Sequence, residues 1–272
     1  MTVMTTLSRS ESFPQRLKSW RQSRRISQLE LSLRCDVSQR HLSFLESGRA
    51  RPSEGMVLSL GQALEIPLRE RNALLLAAGF APRYRESDLS EPEMAAVTKA
   101  LDHLLQKHEP YPAVVIDHLA NLQRANQGAD RLMALLMADA QSDLAAGGQP
   151  NLMHVLFSPD GLRPYIKDWE KVAHFLLCRM RAESIAAGEP QDMVDLIDAL
   201  YRYPDVPQHC PLETAHEWRA PVLTTTFEKD GHNLSFFTTI TTLGTPFDVT
   251  LQEVRVEHFF PADEETEAFF RT

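Results

Sequence analysis

Apolar positions recur at helical spacing through the first third of the chain and change period after Pro110. Phe13, Leu17 and Trp20, with Arg24, share one helical face, and Pro14 suits a first-turn position. Ser27, with Glu30 three residues later, reads as a capping box, after which Leu29, Leu31, Leu33 and the small Ser32 carry a short helix. Asp36-Val37 interrupts it. Ser38 caps a second short helix with Leu42 and Leu45 inside, and Gly48 followed by Pro52 ends it. Ser53 caps a fourth helix through Met56, Leu60 and Leu64. Pro67 opens a fifth through Leu68, Leu74, Leu75 and Leu76, which stops at Gly79.

Pro82 to Pro92 is polar and reads as a connection, and Met94, Val97, Leu101, Leu104 and Leu105 then predict a helix over about residues 91–107. The pattern leaves open whether that helix is a dimer seam or packs on either domain. Beyond Pro110, Tyr111 to Asp117 and Leu122 to Ala125 read as two strands, and Asn126 starts a helix through Leu132, Leu135 and Leu136. Helical stretches follow at 152–157, 161–166 and 169–187. Strand-like runs close the chain at 222–227, 234–242 and 247–256, separated by the turn signals Asp230-Gly231 and Gly244-Thr245-Pro246. The expected fold class is α+β: an all-α five-helix N-terminal domain, then an antiparallel sheet covered by helices. The expected boundaries are a lead at 1–11, a first domain at 12–82, a linker at 83–109 and a second domain at 110–272.

Charge sharpens that division. Residues 1–85 hold 14 Lys/Arg against 7 Asp/Glu, a net of +7, whereas residues 86–272 hold 14 against 30, a net of −16. A basic head on an acidic body suits a polyanion-binding module joined to a part that avoids polyanions. With 272 residues there is room for two cores, and 43% hydrophobic content is ordinary for a soluble protein. The chain has no apolar run of membrane-spanning length and no signal-peptide core, so it is expected to be cytoplasmic. Cys35, Cys178 and Cys210 are odd in number and far apart, so neither a disulfide nor structural zinc is expected. His209-Cys210 with His216 fits no zinc spacing. Catalytic motifs such as GxSxG, P-loop, GxGxxG and HExxH are absent, so the expectation is no enzyme, no metal and no catalytic residues.

Two short helices joined by a tight turn, the second presenting Gln39, Arg40, His41 and Ser43, fit a major groove. Residues 13–80 resemble the helix-turn-helix of lambda-repressor-like (Xre-type) transcription regulators. The match runs through Gln28, Val37, Leu42, Leu45 and Glu46-Ser47-Gly48-Arg49; Ser32 stands where that family has Ala, and Asp36 where it has Gly. The resemblance implies that Gln28 bonds a phosphate. Ser38, Gln39, Arg40 and His41 open the recognition helix, with Ser43 a turn further along. Gln suits adenine and Arg suits guanine; which of Gln39, Arg40 and His41 meets a base stays open. Arg49 and Arg51 are expected on phosphates.

Two strands, several helices and three strands resemble PAS order. Asn151 to Phe157, Pro159-Asp160-Gly161-Leu162-Arg163-Pro164 and Asp168-Trp169-Glu170 further resemble the ligand-binding domain of MmyB-like regulators. That likeness implies a pocket for an elongated apolar molecule such as a fatty acid, with no other cofactor. Leu136, Leu156, Phe157, Trp169 and Val172 are candidate pocket residues, as are Phe175, Leu176, Phe236 and Ile240; Arg179, Arg181 or a Tyr is available to an anionic head. The expected protein is a DNA-binding regulator, acting as a homodimer on an inverted repeat, whose C-terminal domain senses a small apolar ligand. The alternative keeps the DNA-binding head and makes the C-terminal domain a ligand-free dimerisation or partner-protein platform.

Overall fold

A computed structural model describes residues 12–137, 149–207 and 222–271. The chain divides into two compact units. One comprises Met1–Glu86, Ala182–Val194 and Thr245–Gln252; the other comprises Ser87–Arg181, Asp195–Gly244 and Glu253–Thr272.

The first unit contains α1 (Phe13–Ser23), α2 (Gln28–Arg34), α3 (Gln39–Glu46), α4 (Glu54–Ala63) and α5 (Leu68–Ala77). Serines start four of them. The Ser27, Ser38 and Ser53 side chains accept from the backbone N–H three residues on, satisfying donors that the first helical turn leaves open. The reciprocal half of a capping box is absent at Ser27, where Glu30 instead pairs with Arg34. It is present at α1, where Gln15 reaches back to the Ser12 N–H. Leu17, Trp20, Leu31, Leu42, Leu45 and Leu60 fill one core. Leu29 and Leu33 do not join it: they are 54% and 73% exposed. Residues four apart share a helical face, so burying Leu31 turns both of them outward.

The second unit is built on one antiparallel sheet of order β2-β1-β5-β4-β3: β1 (Ala113–Ile116), β2 (Leu122–Ala125), β3 (Thr224–Lys229), β4 (His232–Thr242) and β5 (Arg255–Pro261). Alternation along β1 separates two cores. Ala113 and Val115, with Val254 and Val256, pack under Leu101 and Leu105 of α6 (Ala95–Lys107), which settles that helix on the sheet. Val114 and Ile116 face the opposite core, made with α7 (Gln127–Leu136), α8 (Leu152–Phe157), α9 (Trp169–Ala187) and α10 (Gln191–Tyr201).

Asn126 ties this layer to the sheet. Its Oδ1 accepts from the Ala113 and Ala129 N–H groups, and its Nδ2 donates to the Tyr111 and Leu105 carbonyls. Gly128 follows because nothing larger fits: a Cβ there would lie 2.5 Å from the Pro110 carbonyl oxygen. The β3–β4 turn is the expected one, with Asp230 and Gly231 both at positive φ. Single bridges flank the outer strands, Asn121 with Asn151 beside β2 and Ile166 with Phe227 on β3.

Four further expectations change. The run 247–256 is not one strand but α11 (Val249–Glu253) followed by β5; the Asp248 carbonyl accepts from the Gln252 N–H, so a helical turn interrupts the apolar alternation. Residues 161–166 form only a short 3₁₀ turn at Arg163–Tyr165. α10 and the C-terminal α12 (Glu264–Arg271) are additional helices. Cys178 is disulfide-bonded, contrary to expectation, and Cys35 is a free thiol. The distant spacing that argued against a bridge limits only local loops, because folding brings remote positions together. His209, Cys210 and His216 lie outside the described residues.

Candidate functional site

α3 is anchored by Leu42 and Leu45, both fully buried, so its other side is free to carry polar groups. Ser38, Gln39 and Arg40 are exposed at its start, His41 and Ser43 are half-buried, and Arg49 and Arg51 are exposed beyond its end. The turn leading into α3 holds Asp36 at φ 52°, with the Val37 N–H donating to the Ser32 carbonyl. The left-handed conformation is therefore kept with Asp in place of Gly. At the far end Gly48 is at φ 73°, and the Gly48 and Arg49 N–H groups close onto the Leu45 and Phe44 carbonyls, a Schellman stop.

Phe44 is not among the residues that the sequence singles out. The guanidinium of Arg40 lies 5.4 Å from its ring centroid and that of Arg49 5.9 Å, so one ring orients two cations that flank α3. Spacing gives the first contact, Arg40 and Phe44 being four apart. The second depends on the chain reversal at Gly48, which periodicity does not display.

Gln28 opens α2, and its Nε2 donates to Glu46 Oε2 at 2.8 Å. Arg21 grips the same carboxylate with Nε and Nη2 at 2.6 and 2.9 Å. A Gln amide nitrogen has two hydrogens, so one remains for a phosphate. Other basic residues of α1 and its C-terminal cap serve the fold as well: Arg16 is buried beside Glu70, and the cap residue Arg24 lies over Trp20. The Cys35 thiol at the end of α2 is raised in pKa by burial, against the lowering effect of Arg34.

In the second unit a cavity of about 900 Å³ lies between the sheet and the helices. Leu156, Val172, Phe175, Leu176 and Ile240 of the expected pocket residues line it. Leu136, Phe157 and Phe236 are not in its wall; they are fully buried in the surrounding cores. Trp169 packs edge-on to Phe157 at 5.0 Å with Arg163 over its ring, and is also outside the wall. The lining adds Val114, Leu132, Met133, Met153, Phe227 and Phe259, together with Thr224, Thr225, Thr238 and Lys171.

Of the cations considered for an anionic head, Arg179 reaches the cavity and Arg181 does not. Arg179 Nη2 lies 3.2 Å from Glu257 Oε1, and both residues belong to the wall. Glu257 had no signal in the sequence beyond an acidic residue in a strand. On the other side of β5, His258 has its pKa lowered by burial and by neighbouring His108, 4.9 Å away. Among the described residues no group of three or more His, Cys, Asp or Glu side chains is placed to hold a metal, and no helix is long and apolar enough to cross a membrane.

No curated protein matches the chain. A solved structure of an RNA-binding light-oxygen-voltage receptor aligns over 95% of this chain and 61% of its own length, at 14% identity and a TM-score of 0.28. Residues 17–71 match the helix-turn-helix family model. Residues 97–272, more than half the chain, match the model of the MmyB-like transcription regulator ligand binding domain. With a helix-turn-helix for DNA and a ligand-binding domain behind it, the chain belongs to the MmyB-like transcription regulators.

Proposed function

We propose that the protein is a homodimeric, sequence-specific regulator that reads an inverted-repeat operator with α3 and releases or tightens it when a small apolar ligand of the fatty-acid kind occupies the second unit. Two copies of α3 would enter successive major grooves about 34 Å apart. Gln39, Arg40 and His41 meet base edges, with Ser38 and Ser43 beside them, while Gln28, Arg49 and Arg51 hold phosphates. A ligand shifts operator affinity only by as much as it distinguishes two states of the protein.

The observation that carries the ligand reading is the cavity of about 900 Å³, walled largely by Leu, Val, Met and Phe. Its volume falls within the ~300–1,000 Å³ of ordinary ligand sites. An apolar cleft of this size favours an occupant over a ligand-free platform, because its wall side chains gain packing partners only when it is filled.

The test starts from an operator selected out of random duplex DNA. Native mass spectrometry of protein purified from its host, followed by organic extraction, identifies any bound molecule. Operator affinity is then measured on ligand-free and ligand-loaded protein. Equal affinity in the two states defeats the coupling, and protein that never takes up an apolar molecule supports the platform instead.

A further inference from the structure

Helix α9 is shared by the two units: its residues up to Arg181 belong to the second, and those from Ala182 belong to the first. Lys171, Val172, Phe175, Leu176 and Arg179 follow one another at helical spacing on one face of it, and all of them line the cavity. Ala186, in the last turn, lies roughly 10 Å beyond Arg179 along the helix axis.

The last carbonyls of a helix find no donor in the helix itself. Here the Gly188 and Glu189 N–H groups turn back onto the Ile185 and Ser184 carbonyls, and Pro190 has no N–H to offer. The Ala186 carbonyl accepts instead from Arg24 Nη2, at 3.0 Å. The same guanidinium donates through Nε to the Leu64 carbonyl at 3.1 Å and through Nη2 to the Glu65 carbonyl at 3.4 Å, and it lies over the Trp20 ring. Arg24 thereby ties the end of α9 to α1, which it caps, and to the end of α4. α1 in turn holds α3: Leu17 and Trp20 share a core with Leu42 and Leu45, and Arg21 grips Glu46.

We infer that α9 transmits occupancy of the cavity to the DNA-reading helix, and that Arg24 is the positioning residue through which it does so. The inference rests on the ligand reading above and adds the route of its regulation. A ligand that fills the cavity supplies new packing partners to the α9 side chains in the wall. Packed helices answer such changes by sliding as rigid units. α9 carries its shift to Ala186, and the Arg24 fork passes it to α1 and, through Arg21 and Glu46, to α3. Coupling of this kind is reciprocal, so operator DNA alters ligand affinity by the same factor.

The test uses the full chain stripped of bound lipid, with dodecanoate as the probe and an operator selected from random duplex DNA. In wild type, saturating dodecanoate should change operator affinity by at least about fivefold, and the operator should change dodecanoate affinity by the same factor. Arg24→Gln should still bind both, while that factor falls below about twofold. Arg181→Gly combined with Ala182→Gly serves as the second variant should Arg24→Gln not fold. Both positions are exposed and outside the wall, and two glycines loosen α9 between its ends. Variants that keep the wild-type factor overturn the inference and leave the ligand reading standing. Loss of dodecanoate binding in Arg24→Gln does the same, since the contact would then belong to the fold. Wild-type protein that takes up no dodecanoate, or whose operator affinity ignores it, defeats the regulatory reading and the inference with it.

Discussion

The Gln28 side chain is hydrogen-bonded to Glu46, 2.8 Å from Nε2 to Oε2, so the first residue of α2 and the last of α3 hold one another. Arg21 completes the arrangement, and the Glu46 side chain is 3% exposed. Glu46→Ala would leave the half-buried Arg21 guanidinium with the Ile26 carbonyl but without its carboxylate, at a cost of about 2–4 kcal/mol. Gln28→Ala removes one hydrogen bond and should cost about 0.5–1.5 kcal/mol. Urea unfolding of the isolated variants gives both figures, and a Glu46→Ala chain as stable as wild type would contradict the account.

On DNA, the residues proposed to face bases and those proposed to face phosphates should separate by salt dependence. Gln39→Ala or Arg40→Ala is expected to cost about 1–3 kcal/mol on the selected operator and to relax discrimination at one position. Arg49→Ala or Arg51→Ala should weaken all duplexes alike and reduce the salt slope by about 1. Phe44→Leu, which removes the ring beneath Arg40 and Arg49, should lower operator affinity with little loss of stability. Binding isotherms at several salt concentrations distinguish these patterns.

Gly128→Ala tests the join between α7 and the sheet. The new methyl would meet the Pro110 carbonyl oxygen at 2.5 Å and the Tyr111 carbonyl carbon at 2.6 Å, both backbone atoms that yield only if the segment shifts. The loss should be about 1–3 kcal/mol, as for other overpacked positions. Thermal unfolding of the variant checks it, and a melting temperature equal to wild type would show that the segment has slack.

His258 sets an expectation for pH. Its folded-state pKa is lowered from 6.5 by burial, reinforced by His108, whereas the unfolded chain keeps the ordinary value. Protonation therefore favours the unfolded state. The stability associated with neutral His258 is fully present above about 6.5 and is lost as pH falls through the lower folded value. His258→Gln should flatten the decline between pH 7 and 5, read from melting temperatures across that range; an unchanged profile would assign the decline to other groups.

Local signals carried most of the fold. Ser38 and Gly48 bound α3 as their chemistry requires, Asn126 starts α7, and Asp230-Gly231 makes the hairpin. What remained hidden was tertiary. Phe247 is 84% exposed at the edge of a run whose alternation suggests a strand, and α11 lies there instead. The pairing of Arg179 with Glu257 spans 78 positions, and no spacing rule reaches so far. Phe157 and Phe236 were expected in the ligand pocket for their size, but size alone does not tell a core side chain from a cavity wall.

The bridges beside the outer strands have a consequence for how copies of this chain can meet. An open strand edge invites a second chain to extend the sheet, the route to fibrils and runaway association. Here Leu122 of β2 donates to the Pro150 carbonyl, and the Thr226 carbonyl of β3 accepts from the Lys167 N–H. Each margin of the sheet thus spends part of its hydrogen-bonding capacity within its own molecule. That narrows the stretch of backbone at either margin to which a second chain could add a strand.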